Sequence, residues 1–100
     1  MTIYKTARFK VRPEGMEKCQ QAIREFVAYI KQNEPGTRLY TALQEAQDET
    51  SFMHYFIFEN AEAEEIHRTS EAVKQFTAIL YPETLDEVIF TNYSLVASSA

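Results

Sequence analysis

The chain carries two imidazoles, His54 and His67, and the first lies among aromatic side chains. His54 sits in Phe52-Met53-His54-Tyr55-Phe56-Ile57-Phe58. Alternation along a strand puts Phe52, His54, Phe56 and Phe58 on one face. An imidazole walled by phenyl rings is partly desolvated, which disfavours its charged form and leaves a neutral proton acceptor. Such a face suits gripping a flat organic molecule and taking a proton from it. A core histidine bonded to a backbone carbonyl is the competing reading. His67 ends an acidic helical turn, Ala61-Glu62-Ala63-Glu64-Glu65-Ile66-His67, where the helix C-terminus favours its charged form. Its ring either encloses a ligand or ties the junction to Ser70. Tyr40 and Tyr93 fall on predicted strands; their hydroxyls suit a substrate oxygen, and their rings suit packing equally well.

Other chemistries lack their residues. Two histidines without HxxxH, HxH or CxxC spacing make no zinc site, so no metal is expected. Cys19 lies on an apolar helical stripe with no adjacent base and reads as a small core residue. Glu62, Glu64 and Glu65 are the charged first turn of a helix capped by Asn60, which accounts for them without acid–base work. Gly15 and Gly36 are isolated, so no phosphate-cradling loop forms, and there is no nucleophile elbow. With 10 basic against 15 acidic residues the net charge is −5. Lys5, Arg8, Lys10 and Arg12 on one strand read as a solvated or salt-bridged edge, and no nucleic-acid partner is expected. A single cysteine fits a reducing cytoplasm. No apolar run approaches the roughly 20 residues that span a bilayer, and the first residues lack a signal-peptide centre, so no membrane partner is expected.

The elements that must position these groups follow from periodicity. Residues 3–12 alternate as a strand, with Ile3, Ala7, Phe9 and Val11 on one side and Lys5 interrupting it. Pro13-Glu14-Gly15 ends that strand. Met16, Cys19, Ile23, Phe26, Val27 and Ile30 then recur as one stripe of an amphipathic helix, and Asn33-Glu34-Pro35-Gly36 stops it. Strands are predicted over 38–46 and 51–59, then a helix capped by Asn60 through about His67. A second helix capped by Ser70 carries Val73, Phe76, Ile79 and Leu80 up to Pro82. Glu87 to Val96 alternates as the last strand, within a single domain over 1–96, and 97–100 reads as a frayed tail.

This order is βαββαβ, the α+β ferredoxin-like split βαβ sandwich. Helices cover one face of such a sheet. The other would carry Leu39, Leu43, Tyr55, Ile57 and Phe90, too apolar to stay wet. Two sheets packed face to face would give a homodimeric α+β barrel.

Several residues resemble the antibiotic biosynthesis monooxygenase family. They are Val11 with the helix after it, Glu34-Pro35-Gly36 before the second strand, and Phe58-x-Asn60-x-x-Ala63-x-x-x-His67-x-x-Ser70 leading to Phe76. The resemblance implies a pocket between sheet and helices in which a phenol or quinol is oxidised by molecular oxygen, without a metal or flavin cofactor. A phenol that loses its proton is electron-rich enough to reduce oxygen itself, so the protein supplies an apolar slot, a base and exclusion of water. On this reading His54 is the base, Phe52, Phe56 and Phe58 shape the slot, and Tyr40, Tyr93 and His67 hold or enclose a small aromatic substrate. Departures from the family pattern stand beside it. The chain has no tryptophan, Phe56 replaces a common Glu, Ala72 replaces a common second His, and Ala7 replaces the Asn of the haem-degrading branch. The rival is a non-catalytic dimer that binds a ligand or fills its pocket with its own rings. A cavity of about 300 Å³ or more beside His54 separates the two.

Overall fold

A computed structural model describes residues 1–100. The elements run β1 (Ile3–Lys10), α1 (Met16–Asn33), β2 (Thr37–Gln44), β3 (Ser51–Phe58), α2 (Ala61–Arg68), α3 (Glu71–Leu80) and β4 (Ile89–Tyr93). Short 3₁₀ turns at Pro13–Gly15 and Tyr81–Glu83 lead into α1 and out of α3. The sheet order is β2-β3-β1-β4 and every pairing is antiparallel. This is the ferredoxin-like arrangement that the order of elements predicts.

The helices form for the reasons visible in the chain. The α1 stripe buries Cys19, Ala22, Ile23, Phe26 and Ile30 against the sheet. Asn60 caps α2 by accepting the Ala63 N–H at 2.8 Å, and Ser70 caps α3 by accepting the Val73 N–H at 3.1 Å. Each cap satisfies one of the orphan donors of a first helical turn. From α3, Phe76 and Leu80 turn inward one turn apart. No helix is long and apolar enough to cross a membrane.

The second and last strands are shorter than alternation predicts. β2 stops at Gln44, where its side chain folds over to donate to the Glu49 carbonyl at 2.6 Å. β4 covers only Ile89–Tyr93, because its one neighbour is β1 and that strand begins at Ile3. Beyond Tyr93 there is no ladder to join, and Leu95 and Val96 are left exposed.

The face assignment of β4 also differs. Phe90 was expected on the open face, yet it lies directly across from Ala7, and residues opposite each other share a face. Phe90 therefore belongs to the helix-covered side, and Ile89 and Tyr93 to the open side. In an edge strand this exposed, neither parity is marked by burial.

Candidate functional site

β3 supplies the floor of the site. Its burial alternates, with Phe52, His54, Phe56 and Phe58 buried and Met53, Tyr55 and Ile57 half-buried. Register brings Tyr40 of β2 beside Phe56, and Ala7 of β1 beside His54. Small Ala7 and Ala42 flank His54 on both sides, so the floor dips there. The helices close over this dip, leaving a cavity of about 510 Å³ that opens to solvent on one side. Its wall includes Tyr40, His54, Phe56, Phe58, His67 and Phe76. That volume lies within the range of small-molecule sites.

His54 is 1 % exposed. Its Nδ1 lies 2.8 Å from the Tyr40 hydroxyl. Its Nε2 is fully buried and has no partner. With no charge nearby to offset burial, its pKa is lowered to about 4, so the ring is neutral at physiological pH. Burial likewise raises the Tyr40 phenol, which stays protonated. The pair is a neutral, sealed hydrogen bond packed between rings. Phe9 meets His54 edge-on at 5.0 Å, and Phe56 stacks on Tyr40 at 4.9 Å.

His67 is placed differently. The expected tie to Ser70 is made by the His67 backbone carbonyl, at 3.1 Å from the Ser70 N–H, and the ring reaches elsewhere. Its Nδ1 lies 2.9 Å from Glu34 Oε1. Glu34 is 5 % exposed, and the same oxygen accepts from the Thr37 hydroxyl at 2.8 Å. Two side-chain polar atoms of the chain are fully buried without a partner, Glu34 Oε2 and His54 Nε2. His67 Nε2 is not among them and makes no bond to the protein, and the His67 side chain lines the cavity. The ring is caged by Phe26, Tyr40, Phe56 and Phe58, with centroids 5.2 to 6.1 Å away.

Of the residues singled out from sequence, His54, His67, Tyr40, Phe56 and Phe58 meet at this cavity. Phe52 shares their face but stacks on Phe9 at 5.4 Å, behind the cavity wall. Tyr93 lies on the opposite face, where its hydroxyl meets the Thr6 hydroxyl at 3.3 Å. In the sequence Glu34 belongs to a helix stop and to the Glu-Pro-Gly run of the family resemblance, and neither marks it as a site residue. Its one signal was the Glu-Pro-Gly run, which does not reveal that a carboxylate turns inward. Phe26 and Phe76, stacked at 4.3 Å, form the roof, and both were read as helix core. Lys5 interrupts only the apolar side of β1; it lines the cavity, paired with Glu64. No group of three or more His, Cys, Asp or Glu side chains is placed to hold a metal ion.

Comparison with known proteins follows the same outline. A family model described as antibiotic biosynthesis monooxygenase matches residues 2–78. No curated protein matches the chain. Among solved structures, a proposed antibiotic biosynthesis monooxygenase of Bacteroides thetaiotaomicron superposes with a TM-score of 0.91 at 14% identity, covering 99% of this chain and 93% of that one. A Mycobacterium tuberculosis protein gives 0.89 at 17% identity over 100% of both chains. A Caulobacter crescentus protein, again proposed as such a monooxygenase, gives 0.89 at 20% identity over 96% and 91%. At these identities the likeness is one of fold.

Proposed function

The chain belongs to the antibiotic biosynthesis monooxygenase family, and on that footing we propose that it oxidises a small phenolic or quinol compound with molecular oxygen and no added cofactor. The observation that carries this reading is the cavity of about 510 Å³, walled by rings, with two imidazoles and a tyrosine hydroxyl as its polar groups near the floor. Phe56, Phe58 and Phe76 in its wall offer ring surface on which a flat aromatic would stack.

The proton step falls to the imidazole with a nitrogen to spare. His54 is neutral and sealed, so with Tyr40 it serves to shape and orient. His67 accepts the phenolic proton at Nε2. The resulting anion passes an electron to oxygen, the radical pair joins at a ring carbon that bears one hydrogen, and the protonated His67 returns its proton to the peroxide to give a hydroperoxide. Loss of water, taking that carbon's hydrogen, then leaves a carbonyl. The substrate thus supplies all four electrons: its phenolic O–H and one ring C–H plus O₂ give a quinone and H₂O. The apolar wall keeps water from quenching the anion.

We also propose that a second copy covers the open face of the sheet. Leu39, Leu43, Ile89 and Tyr93 are 39 to 55% exposed there, and a two-fold pairing buries one such patch against itself.

Oxygen uptake by the purified protein against quinols and hydroxylated aromatics tests the oxygenase. Uptake without added cofactor should fall at least about tenfold, roughly 1.4 kcal/mol of barrier, in His67→Ala. The non-catalytic reading is favoured by the low basicity of His54. Saturable binding of such phenols with no uptake across the panel would establish it instead.

A further inference from the structure

We propose that Glu34 is a positioning residue whose buried carboxylate accepts the Nδ1–H of His67 and so presents His67 Nε2 to the cavity as a bare lone pair. This rests on the oxygenase reading only for its consequence in catalysis; the tautomer it assigns stands by itself.

Geometry makes the case. Glu34 Oε1 is 2.9 Å from His67 Nδ1, and neither side chain has more than slight access to solvent. A carboxylate accepts and never donates when ionised. The shared proton therefore sits on Nδ1, and the lone pair is left on Nε2. Free neutral imidazole prefers the opposite tautomer, so the bond to Glu34 is what selects this one. The second Glu34 oxygen is buried with no partner. The contact at Oε1 therefore fixes both the orientation of the ring and its tautomer.

The contact is built by close backbone approach. A Cβ on Gly36 would fall 2.6 Å from the Ala63 Cβ. Glycine at 36 and alanine at 63 let the start of α2 press against the turn after α1. One helical turn beyond Ala63, on the same face, comes His67. Two short motifs that look unrelated in the chain, Glu34-Pro35-Gly36 and Ala63-x-x-x-His67, are thus the two halves of one contact.

Long-range proton–nitrogen correlation spectra of the imidazoles test it directly. In the native protein, neutral His67 should carry its proton on Nδ1, and an Nε2–H tautomer would overturn the proposal without any variant. Glu34→Leu removes the acceptor, and His67 should revert to Nε2–H; retention of Nδ1–H there would also overturn it. Glu34→Gln keeps an acceptor oxygen in the same shape and should keep Nδ1–H if Glu34→Leu does not fold. For the chemical consequence, para-nitrophenol serves as the probe, since its phenolate is coloured. Below the probe's own pKa, the native protein should bind it as phenolate, and the phenolate fraction should fall about 10- to 100-fold in Glu34→Leu. An unchanged fraction would refute the positioning role. None of these readouts needs turnover. Absent oxygen uptake would therefore sink the oxygenase and leave this contact standing, while a wrong tautomer with intact uptake would do the reverse.

Discussion

The two faces of β3 are built from the same strand and behave as different materials. On the covered face Phe52, His54, Phe56 and Phe58 are buried, and their polar atoms either pair within the site or stay sealed. On the open face Met53, Tyr55 and Ile57 are half-buried, with exposed Leu43 and Leu39 beside them on β2 and exposed Ile89 farther out on β4. The covered face has helices to complete it, and the imperfect fit of those helices is the cavity. The open face has no such layer within the chain. One face holds its energy in close packing, and the other holds an unspent capacity to bury apolar surface. Substitutions on the two should therefore differ in size and in dependence on protein concentration.

The sharpest contrast is between neighbours. Phe58, 1 % exposed, should cost about 3–5 kcal/mol when replaced by alanine, from lost transfer energy and the void left behind. Ile57→Ala, one residue away on the half-exposed side, should cost about 1 kcal/mol. Urea melts of the two variants check this, and equal losses would mean that the faces are not distinct.

The next effect belongs to His54. Burial lowers its pKa to about 4, so between about pH 6.5 and about pH 4 the unfolded chain binds a proton that the folded chain refuses. The associated stability is full above about pH 6.5 and is lost as pH falls toward about 4, to a total of about 3 kcal/mol. His54→Asn cannot titrate there. Subtracting its urea midpoints from those of the native protein over this window should isolate the slope. A difference that is flat with pH would show that His54 is hydrated.

The covered face was largely legible in the sequence because burial writes itself as periodicity. The α1 stripe, the Asn60 and Ser70 caps and the β3 alternation all recur in the structure, since each is a local rule that tertiary packing reinforces. What stayed hidden depended on distance across the chain. Glu34 and His67 are 33 residues apart, and nothing local says that a glutamate in a helix stop turns inward. Phe90, expected on the open face, and Tyr93, expected to hold substrate, lie on the covered and open faces for a related reason. In a half-exposed edge strand the register with β1 decides the face, and a one-residue choice reverses every side chain. Within the site, sequence alone favoured His54 as the base. Its desolvation follows from the alternation, but the pairing of its Nδ1 with Tyr40 on another strand, and the burial of its Nε2 without a partner, do not.

A smaller effect tests the sealed pair. Tyr40→Phe keeps the ring stacked on Phe56 but strips His54 of its one partner, leaving both nitrogens unsatisfied in a buried site. The expected cost is about 1–3 kcal/mol, more than removing an exposed hydroxyl would bring. A loss of a few tenths in urea melts would mean that water reaches His54 once the hydroxyl is gone.

The smallest effect on the chain itself decides the open face. Leu43 is 49 % exposed on β2, an edge strand, and a charge there finds water in an isolated chain. Leu43→Glu should therefore leave secondary structure intact and change the stability of the isolated chain by about 0.5 kcal/mol or less. In a two-fold pairing the same substitution brings the new carboxylate into a desolvated interface, where an unpaired charge is costly. Sedimentation should then show the native protein as a dimer and the variant shifted toward monomer. Its melting temperature should also rise with concentration in the native protein alone. A native protein that stays monomeric at high concentration, with an unchanged melt in the variant, would mean that half-exposed Leu43 and Ile89 are tolerated singly. The difference between the two faces would then lie in packing density and not in a partner.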